Sequence, residues 1–253
     1  MFLHQSDPQP FGAPHIAPLA ASTPASSAAS NQVPATAFKI HAKSQKKFWV
    51  RVLVRPQATL AVLDVFLRDI WMEPCCNHLS TFMVGNTIFC DEEGVATGMG
   101  DADMGSARLM DCLRIGLKFK YVYDMGSSTI VELKVEDEVV YPGDLCYHTQ
   151  WEDDPYMQSL SSTDPGAMIR VQPLPLKVAG RNRNPKYMCA NCERPATLVC
   201  PACTDTYWQD FGDSMSFCCD AHIEDHRSTC EEKGGMLRPV ANSPRMGECG
   251  YRC

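Results

Sequence analysis

Cysteine and histidine residues recur at short intervals near the end of this 253-residue chain. They form two Cys-x2-Cys pairs and a third run with three-residue gaps, namely Cys189, Cys192, Cys200, Cys203, Cys218, His222, His226 and Cys230. Two such side chains a few residues apart can grip one tetrahedral ion from a tight turn, and four pairs make two sites. The spacing therefore predicts that residues 187–235 fold around two zinc ions.

The register of the third run is open, because two cysteines are adjacent. Cys218-x3-His222 and Cys219-x2-His222 are both workable zinc spacings. We assign Cys218 as the ligand and keep Cys219 as the alternative. Cys249 and Cys253 either complete a site or lie free.

The eight residues, six cysteines and two histidines, are enough to give each of two ions four protein ligands. A zinc ion with four protein ligands has no open position at which water is activated, so we expect a structural role. The free energy of metal binding then stabilises a module too small to form a large core. Four aromatic residues of this region either fill that core or form a partner-binding surface: Tyr207, Trp208, Phe211 and Phe217.

The composition restricts the partners and the compartment. The net charge of −7 argues against broad electrostatic binding to nucleic acid or to an anionic membrane. No apolar run approaches the roughly 20 residues that span a bilayer. Cysteines clustered at metal spacing are typical of a reducing compartment. We expect a protein of the cytoplasm or nucleus that binds neither membrane nor nucleic acid.

Composition also divides the chain into five segments. Residues 1–35 are rich in Ala, Pro and Ser, and we expect them to be disordered. Residues 36–178 form the predicted α+β domain, and residues 179–186 are a short basic linker. The zinc module follows at 187–235, and residues 236–253 are predicted to be a flexible tail.

Hydrophobic periodicity predicts the elements of the α+β domain. Apolar residues alternate around residues 37–42 and 48–54, which indicates strands, and recur at helical spacing over 59–72, with Thr59 as N-cap. The remaining predictions are strands at 81–84 and 87–90, a loop at 91–106, a helix at 107–115, a hairpin of 117–123 and 130–136, a loop at 141–166 and an edge strand at 167–178. Together they predict an α+β fold with a mixed, mainly antiparallel sheet and two helices.

Several motifs of this domain resemble one known family. They are the strand 48–55, the helix ending at Trp71, His78-Leu79 with Phe82, and the stretch from Phe119 to Gly126, Phe-Lys-Tyr-Val-Tyr-Asp-Met-Gly. On these features residues 38–136 resemble the plasmid pRiA4b ORF-3-like family, whose signature is Phe-x-Tyr-x-Tyr-Asp-x-Gly. The resemblance implies an α+β fold and no settled activity.

One departure from that family's pattern concerns chemistry. The family motif continues with Asp and then Trp-x-His, whereas this chain has Ser127, Thr129 and Val131 at those positions. His78 and Asp124 remain as candidate site residues, and two residues do not make a mechanism.

The C-terminal module resembles the MYND and HIT-type zinc fingers, which are small cross-braced domains with two zinc ions. His222 stands where those families usually have a cysteine, and the gap from Cys203 to Cys218 is longer than usual. The resemblance implies two interleaved sites: Cys189, Cys192, Cys218 and His222 in one, and Cys200, Cys203, His226 and Cys230 in the other. It also implies protein binding.

The sequence thus favours a zinc-binding protein–protein interaction protein, an adaptor or scaffold, over an enzyme. The zinc module would bind a protein partner, and the α+β domain would position it or supply a second surface. The alternative is an enzyme or nucleic-acid-processing protein with a site near His78 and Asp124.

Overall fold

The computed structural model describes residues 35–72, 78–150, 152–153, 158, 172–201, 203, 217–230 and 237–246. Some predictions fall outside these residues: the disordered N-terminal segment up to residue 34, the aromatic residues Tyr207, Trp208 and Phe211, and Cys249 and Cys253. No helix among the described residues combines the length and apolarity needed to cross a bilayer.

The described chain contains two sheets and a few mostly short helices. The strands are β1 Thr36–Ser44, β2 Phe48–Val54, β3 Ser80–Val84, β4 Thr87–Cys90, β5 Ala102–Asp103, β6 Lys118–Tyr123, β7 Thr129–Val140, β8 Leu176–Arg181, β9 Leu198–Val199, β10 Phe217–Cys218 and β11 Arg238–Pro239. The α-helices are α1 Leu60–Trp71, α2 Glu92–Ala96, α3 Leu109–Cys112 and α4 Ile223–Thr229.

Strands β1 to β8 form one sheet in the order β5-β4-β3-β6-β7-β1-β2-β8. Only β4 and β5 pair in parallel within this sheet; the other described pairs are antiparallel. The small sheet has the order β10-β9-β11. The predicted α+β class with a mixed, mainly antiparallel sheet is therefore confirmed.

The core lies between one face of the large sheet and α1. Alternate residues of β1 and β2 are buried, for example Ile40 and Phe48, because successive side chains of a strand point to opposite faces. They form one cluster with Leu63 and Trp71 of α1. The other face, which we call the open face, carries exposed residues such as Lys120, Glu132 and Lys134.

Helix α1 begins at Leu60, as predicted, but Thr59 makes no side-chain capping hydrogen bond. The first N–H groups are satisfied from a neighbouring segment, because Leu60 donates to the carbonyl of Ala107 and Ala61 to that of Met104. The loop before α3 thus replaces a local cap.

A buried polar network accompanies α1. Arg68 donates to Asp64 one helical turn away, at 2.8 Å, and to the hydroxyl of Ser80 at 2.8 Å. Ser80 and Tyr121 each donate to the other oxygen of Asp64, at 2.6 and 2.8 Å. Every charge in this network therefore has partners of opposite polarity, as burial requires.

The structure differs from prediction in the segment between β4 and β6. The expected loop at 91–106 contains α2 and β5, and α2 begins where the carboxylate of Asp91 accepts from Gly94 N–H at 2.8 Å. The expected helix at 107–115 is only the single turn α3. Its first N–H groups are tied to the chain before α1, since Leu109 donates to Ala58 and Met110 to Pro56.

The end of the chain returns to the large sheet. β8 is an edge strand, as predicted, and includes residues 179–181 of the expected linker. In the segment expected to be a tail, β11 pairs with β9, and Ser243 and Arg245 are fully buried.

Candidate metal centres

The first cluster joins a turn near the start of the module to the beginning of α4. Cys189 and Cys192 lie on the turn that Cys189 N–H closes onto the carbonyl of Arg194 at 2.9 Å. Nδ1 of His222 lies 3.6 Å from Sγ of Cys189 and 3.5 Å from Sγ of Cys192. Cys219 completes the set, with its Sγ 3.8 Å from that of Cys192.

The assignment of Cys218 to this cluster is corrected by the structure, which places Cys219 there instead. Cys218 belongs to β10, where it pairs with Leu198 of β9. Cys219 follows the strand and is the N-cap of the 3-10 helix Asp220–His222. The N–H of His222 donates to the carbonyl of Cys219 at 2.9 Å. This tight turn brings the sulfur of Cys219 to within 3.3 Å of Nδ1 of His222.

The second cluster contains the four remaining predicted residues. Sγ of Cys230 lies 3.8 Å from that of Cys200 and 3.7 Å from that of Cys203. Nε2 of His226 lies 3.8 Å from Sγ of Cys203. His226 and Cys230 sit one turn apart on and just after α4, and both are buried. Two Cys/His clusters of four residues each can therefore hold metal ions.

In the first cluster, the polar groups around Cys189 suit a thiolate, whereas burial raises the pKa of Cys219. Burial by itself raises the pKa of the Cys189 thiol, but N–H groups, among them those of Cys219, Asn191 and Cys192, lower this pKa to about 6. Nε2 of His222 faces the carboxylate of Asp225 at 4.0 Å, which leaves Nδ1 toward the sulfurs. Such outer partners orient metal ligands.

In the second cluster, burial and the neighbouring thiols of Cys230 and Cys200 raise the pKa of Cys203 to about 12. Adjacent thiolates repel one another when no cation lies between them. A divalent cation reverses that balance, because it stabilises every deprotonated ligand at once.

A small apolar core supports the clusters. The rings of Tyr187 and Phe217 stack with centroids 4.3 Å apart, and Val199 and Met246 complete the buried group. Of the two roles weighed for the aromatic residues, Phe217 has the core-filling one, with 3% of its surface exposed.

The module is fixed to the large sheet by a contact that the sequence did not predict. Arg245 donates to the carboxylate of Asp124 at 3.0 Å and to the carbonyl of Ser127. Its guanidinium also lies over the ring of Tyr123, 5.3 Å from the ring centroid. Ser243 donates to the carbonyl of Trp71, at the end of α1.

This contact occupies the site that the sequence suggested around His78 and Asp124. Nδ1 of His78 does lie 3.8 Å from the Asp124 carboxylate. However, one oxygen of Asp124 accepts from Gly126 N–H at 3.0 Å, and the other accepts from Ser127 and Arg245. These hydrogen bonds outweigh the effect of burial and hold the pKa of Asp124 well below its usual range. The carboxylate is thus an anchor for Arg245.

Comparison with known proteins assigns no family. No family model matches the chain, and no curated protein matches it. One solved structure with partial similarity is a protein of unknown function, MM3350, from Methanosarcina mazei Go1, with 19% identity and a TM-score of 0.38 over 46% of this chain and 67% of that one. A similarity this weak establishes neither a shared fold nor a shared function.

Proposed function

We propose that the C-terminal part of the chain is a two-zinc module in which the metal has a structural role and the surface binds a protein partner. The observation that carries this proposal is the composition of each cluster: three sulfurs and one imidazole nitrogen, all within 4.8 Å of one another. Four protein ligands fill a tetrahedral site, so no position remains for a water nucleophile.

The spacing of the ligand atoms supports zinc. Zinc–sulfur and zinc–nitrogen bond lengths of about 2.3 and 2.0–2.1 Å around a tetrahedral ion require S···S edges of about 3.8 Å and S···N edges of about 3.5 Å. The sulfurs of Cys192 and Cys219 lie 3.8 Å apart in the first cluster, and the sulfur of Cys230 lies 3.8 and 3.7 Å from those of Cys200 and Cys203 in the second. The S···N separations run from 3.3 to 3.8 Å. A ligand set rich in thiolates also favours zinc over magnesium or calcium.

Protein binding is supported by what the module presents and by how it is held. Met188, next to the first cluster, is 45% exposed, and exposed methionines are adaptable contacts at protein interfaces. Arg245 fixes the module to the large sheet through buried contacts. The module and the sheet therefore present their surfaces to a partner in one fixed relative orientation. The resemblance to MYND and HIT-type fingers points the same way.

Native mass spectrometry of the purified chain tests the metal part of this proposal. We expect two zinc ions per chain, lost on chelation together with the small sheet β9–β11. A single bound ion would contradict the proposal of two sites. Removal of two ions without a change of hydrogen exchange in this sheet would contradict a structural role.

Partner binding is tested with matched variants. Proteins that co-purify with the chain are identified, produced and titrated against wild type, Met188→Lys and Cys112→Ser, the last being a half-buried cysteine outside both clusters. We expect Met188→Lys to keep both zinc ions and to weaken the partner, while Cys112→Ser changes neither. Partners that bind equally to the chelated and zinc-loaded chain would refute the proposal.

A further inference from the structure

The open face of the large sheet carries a group of lysines that neither the metal centres nor the core uses. Four exposed lysines come from three strands, Lys43 of β1, Lys118 and Lys120 of β6, and Lys134 of β7. They line a groove of about 490 Å³ together with His41, Met83 and Glu132. We call these lysines and the groove between them the basic groove.

One cross-strand pair of the basic groove places like charges side by side. Lys118 lies directly opposite Lys134 across β6 and β7, whereas burial lowers the pKa of His41, which faces Lys134 from β1. In the next row, Lys120 and Lys43 flank Glu132 from either side. Like charges directly opposite on a sheet are destabilising. The fold therefore tolerates a repulsion that an anion in the groove would relieve.

The lysines of the groove differ from their charged neighbours on the same face. Lys39 and Arg51 both pair with Glu136, at 3.7 and 3.0 Å. Within the described part of the chain, none of the four groove lysines has a carboxylate within the 4.0 Å of an ion pair. The positive charge of these lysines is thus not neutralised by an ion pair within the described residues, although the chain as a whole has a net charge of −7.

The lining distinguishes between anionic partners. Single-stranded nucleic acid binds to basic grooves that also offer aromatic rings for base stacking. Here the ring of Phe119 is buried, with 3% of its surface exposed, and His41 is the remaining ring among the lining residues. The net negative charge of the chain and Glu132 at the centre of the lysines also disfavour a continuous phosphate backbone.

We propose that the basic groove binds an extended acidic segment of a partner protein. In an extended peptide, alternate side chains lie on one face about 6.6 Å apart, the same separation as that of Lys118 and Lys120 along β6. Carboxylates at alternate positions therefore match the spacing of the lysines. Glu132 accepts a hydrogen bond from a backbone N–H or hydroxyl of the same segment. This surface lies outside the metal module and extends the proposed function to a second contact.

The test uses the zinc-loaded full chain and a fluorescein-labelled peptide of about twelve residues in which Glu alternates with Ser, long enough to span the groove. Fluorescence anisotropy compares wild type, Lys118→Glu/Lys134→Glu, and the control Arg114→Glu/Lys186→Glu. Both control residues are exposed and lie outside the groove, and both variants change the net charge equally. We expect the groove variant to weaken binding about tenfold or more and the control to stay within about twofold.

Salt and a neutral peptide complete the test. Raising the salt from about 50 to about 300 mM weakens a contact of this kind, and a peptide with Gln in place of Glu does not bind. No binding of the acidic peptide, equal binding of the Gln peptide, or equal loss in the control overturns the proposal. Tighter binding of an oligouridylate of equal charge also overturns it and assigns the groove to nucleic acid.

The fold of each variant is checked by circular dichroism and zinc content. If the charge reversals prevent folding, Lys118→Gln/Lys134→Gln takes their place and is expected to weaken the peptide by several fold. Because these substitutions leave the metal ligands intact, failure at the groove and failure of the zinc module are separate results.

Discussion

Asp64 and Arg68 place opposite charges inside the core, one turn apart on α1. Their side chains are 11% and 10% exposed. Two further hydroxyls, those of Ser80 and Tyr121, direct their protons at Asp64. Because both charges are buried, removing one of them lowers the free energy of unfolding by more than the intact pair contributes to it.

Asp64→Asn should therefore lower the free energy of unfolding by about 3–5 kcal/mol, because it leaves the buried Arg68 without a counter-charge. Urea unfolding followed by circular dichroism measures the change. Asp111→Asn is the matched control, since Arg108 and Asp111 form an exposed pair on α3, and it should cost below about 1 kcal/mol. Equal effects of the two substitutions would show that the Asp64 network is not desolvated in solution.

Asp124 gives the chain a defined dependence on pH. Its pKa is held below the usual value by Ser127, Gly126 and Arg245, against the effect of burial. A depressed carboxyl pKa contributes stability above the unfolded value of about 3.9, and the contribution is lost as the pH falls through the folded pKa.

Asp124→Asn should consequently destabilise the chain by about 3–5 kcal/mol at pH 7. The difference from wild type should be constant from about pH 7 to 5 and should narrow below about pH 4, where the Asp124 carboxyl of the unfolded wild type binds a proton. Urea midpoints of both proteins at several pH values provide the measurement. A difference that grows on acidification would contradict the assigned sign.

Among the elements, β10 determines which of the two adjacent cysteines belongs to the first cluster. Cys218 is inside the strand and Cys219 is the first residue after it. Because the chain turns into a 3-10 helix at that point, adjacent cysteines have different surroundings although both are buried.

Cys219→Ala should reduce the zinc content from two ions to one, and Cys218→Ala should leave it at two. Both substitutions remove one buried thiol of the same size, so the difference reports ligation alone. Native mass spectrometry reads the ion count. Loss of one zinc from Cys218→Ala with none from Cys219→Ala would restore the register first assigned from the sequence.

The elements that could be read from the sequence are those with a local pattern. Alternation over residues 48–54 corresponds to β2 because alternate residues of this strand are buried. Helical spacing over 59–72 corresponds to α1, of whose twelve residues ten are buried. Asp91 before Glu92 and Glu93 is a helix-start signal that marks α2, although the segment was predicted to be a loop. β5 has no such signal, since its two residues are a strand only through pairing with β4.

The candidate site shows the same division. The two Cys-x2-Cys pairs and the run with three-residue gaps together identified seven of the eight cluster residues, because metal ligation imposes a local pattern. The anchor between Arg245 and Asp124 has no local pattern, since it joins residues 121 positions apart. Nor does spacing separate Cys218 from Cys219, because only the end of β10 distinguishes them.

At the scale of the whole molecule, the small sheet and the large sheet are linked. β11 pairs with β9, which leads directly into Cys200 of the second cluster, and the chain from β11 carries Arg245 to Asp124. If a chelator unfolds the small sheet, Asp124 of the large sheet therefore loses its ion pair with Arg245.

Chelation should increase hydrogen exchange at the β6–β7 turn of wild type, by an amount that corresponds to a loss of about 3–5 kcal/mol. In Arg245→Met the turn should already exchange faster and should respond little to the chelator. Exchange followed by mass spectrometry, with α1 as an internal reference, distinguishes the two proteins. Identical responses would show that the module and the sheet are energetically independent.

The separation between Asp124 and Arg245 also has a meaning in time. A ribosome adds about 5–20 residues per second, so the 121 residues between them take roughly 6 to 24 s to synthesise at that rate. Throughout this interval the nascent sheet holds a carboxylate whose guanidinium partner does not yet exist. The large sheet thus reaches its full stability only after Arg245, which follows the last described strand of the module, has been synthesised.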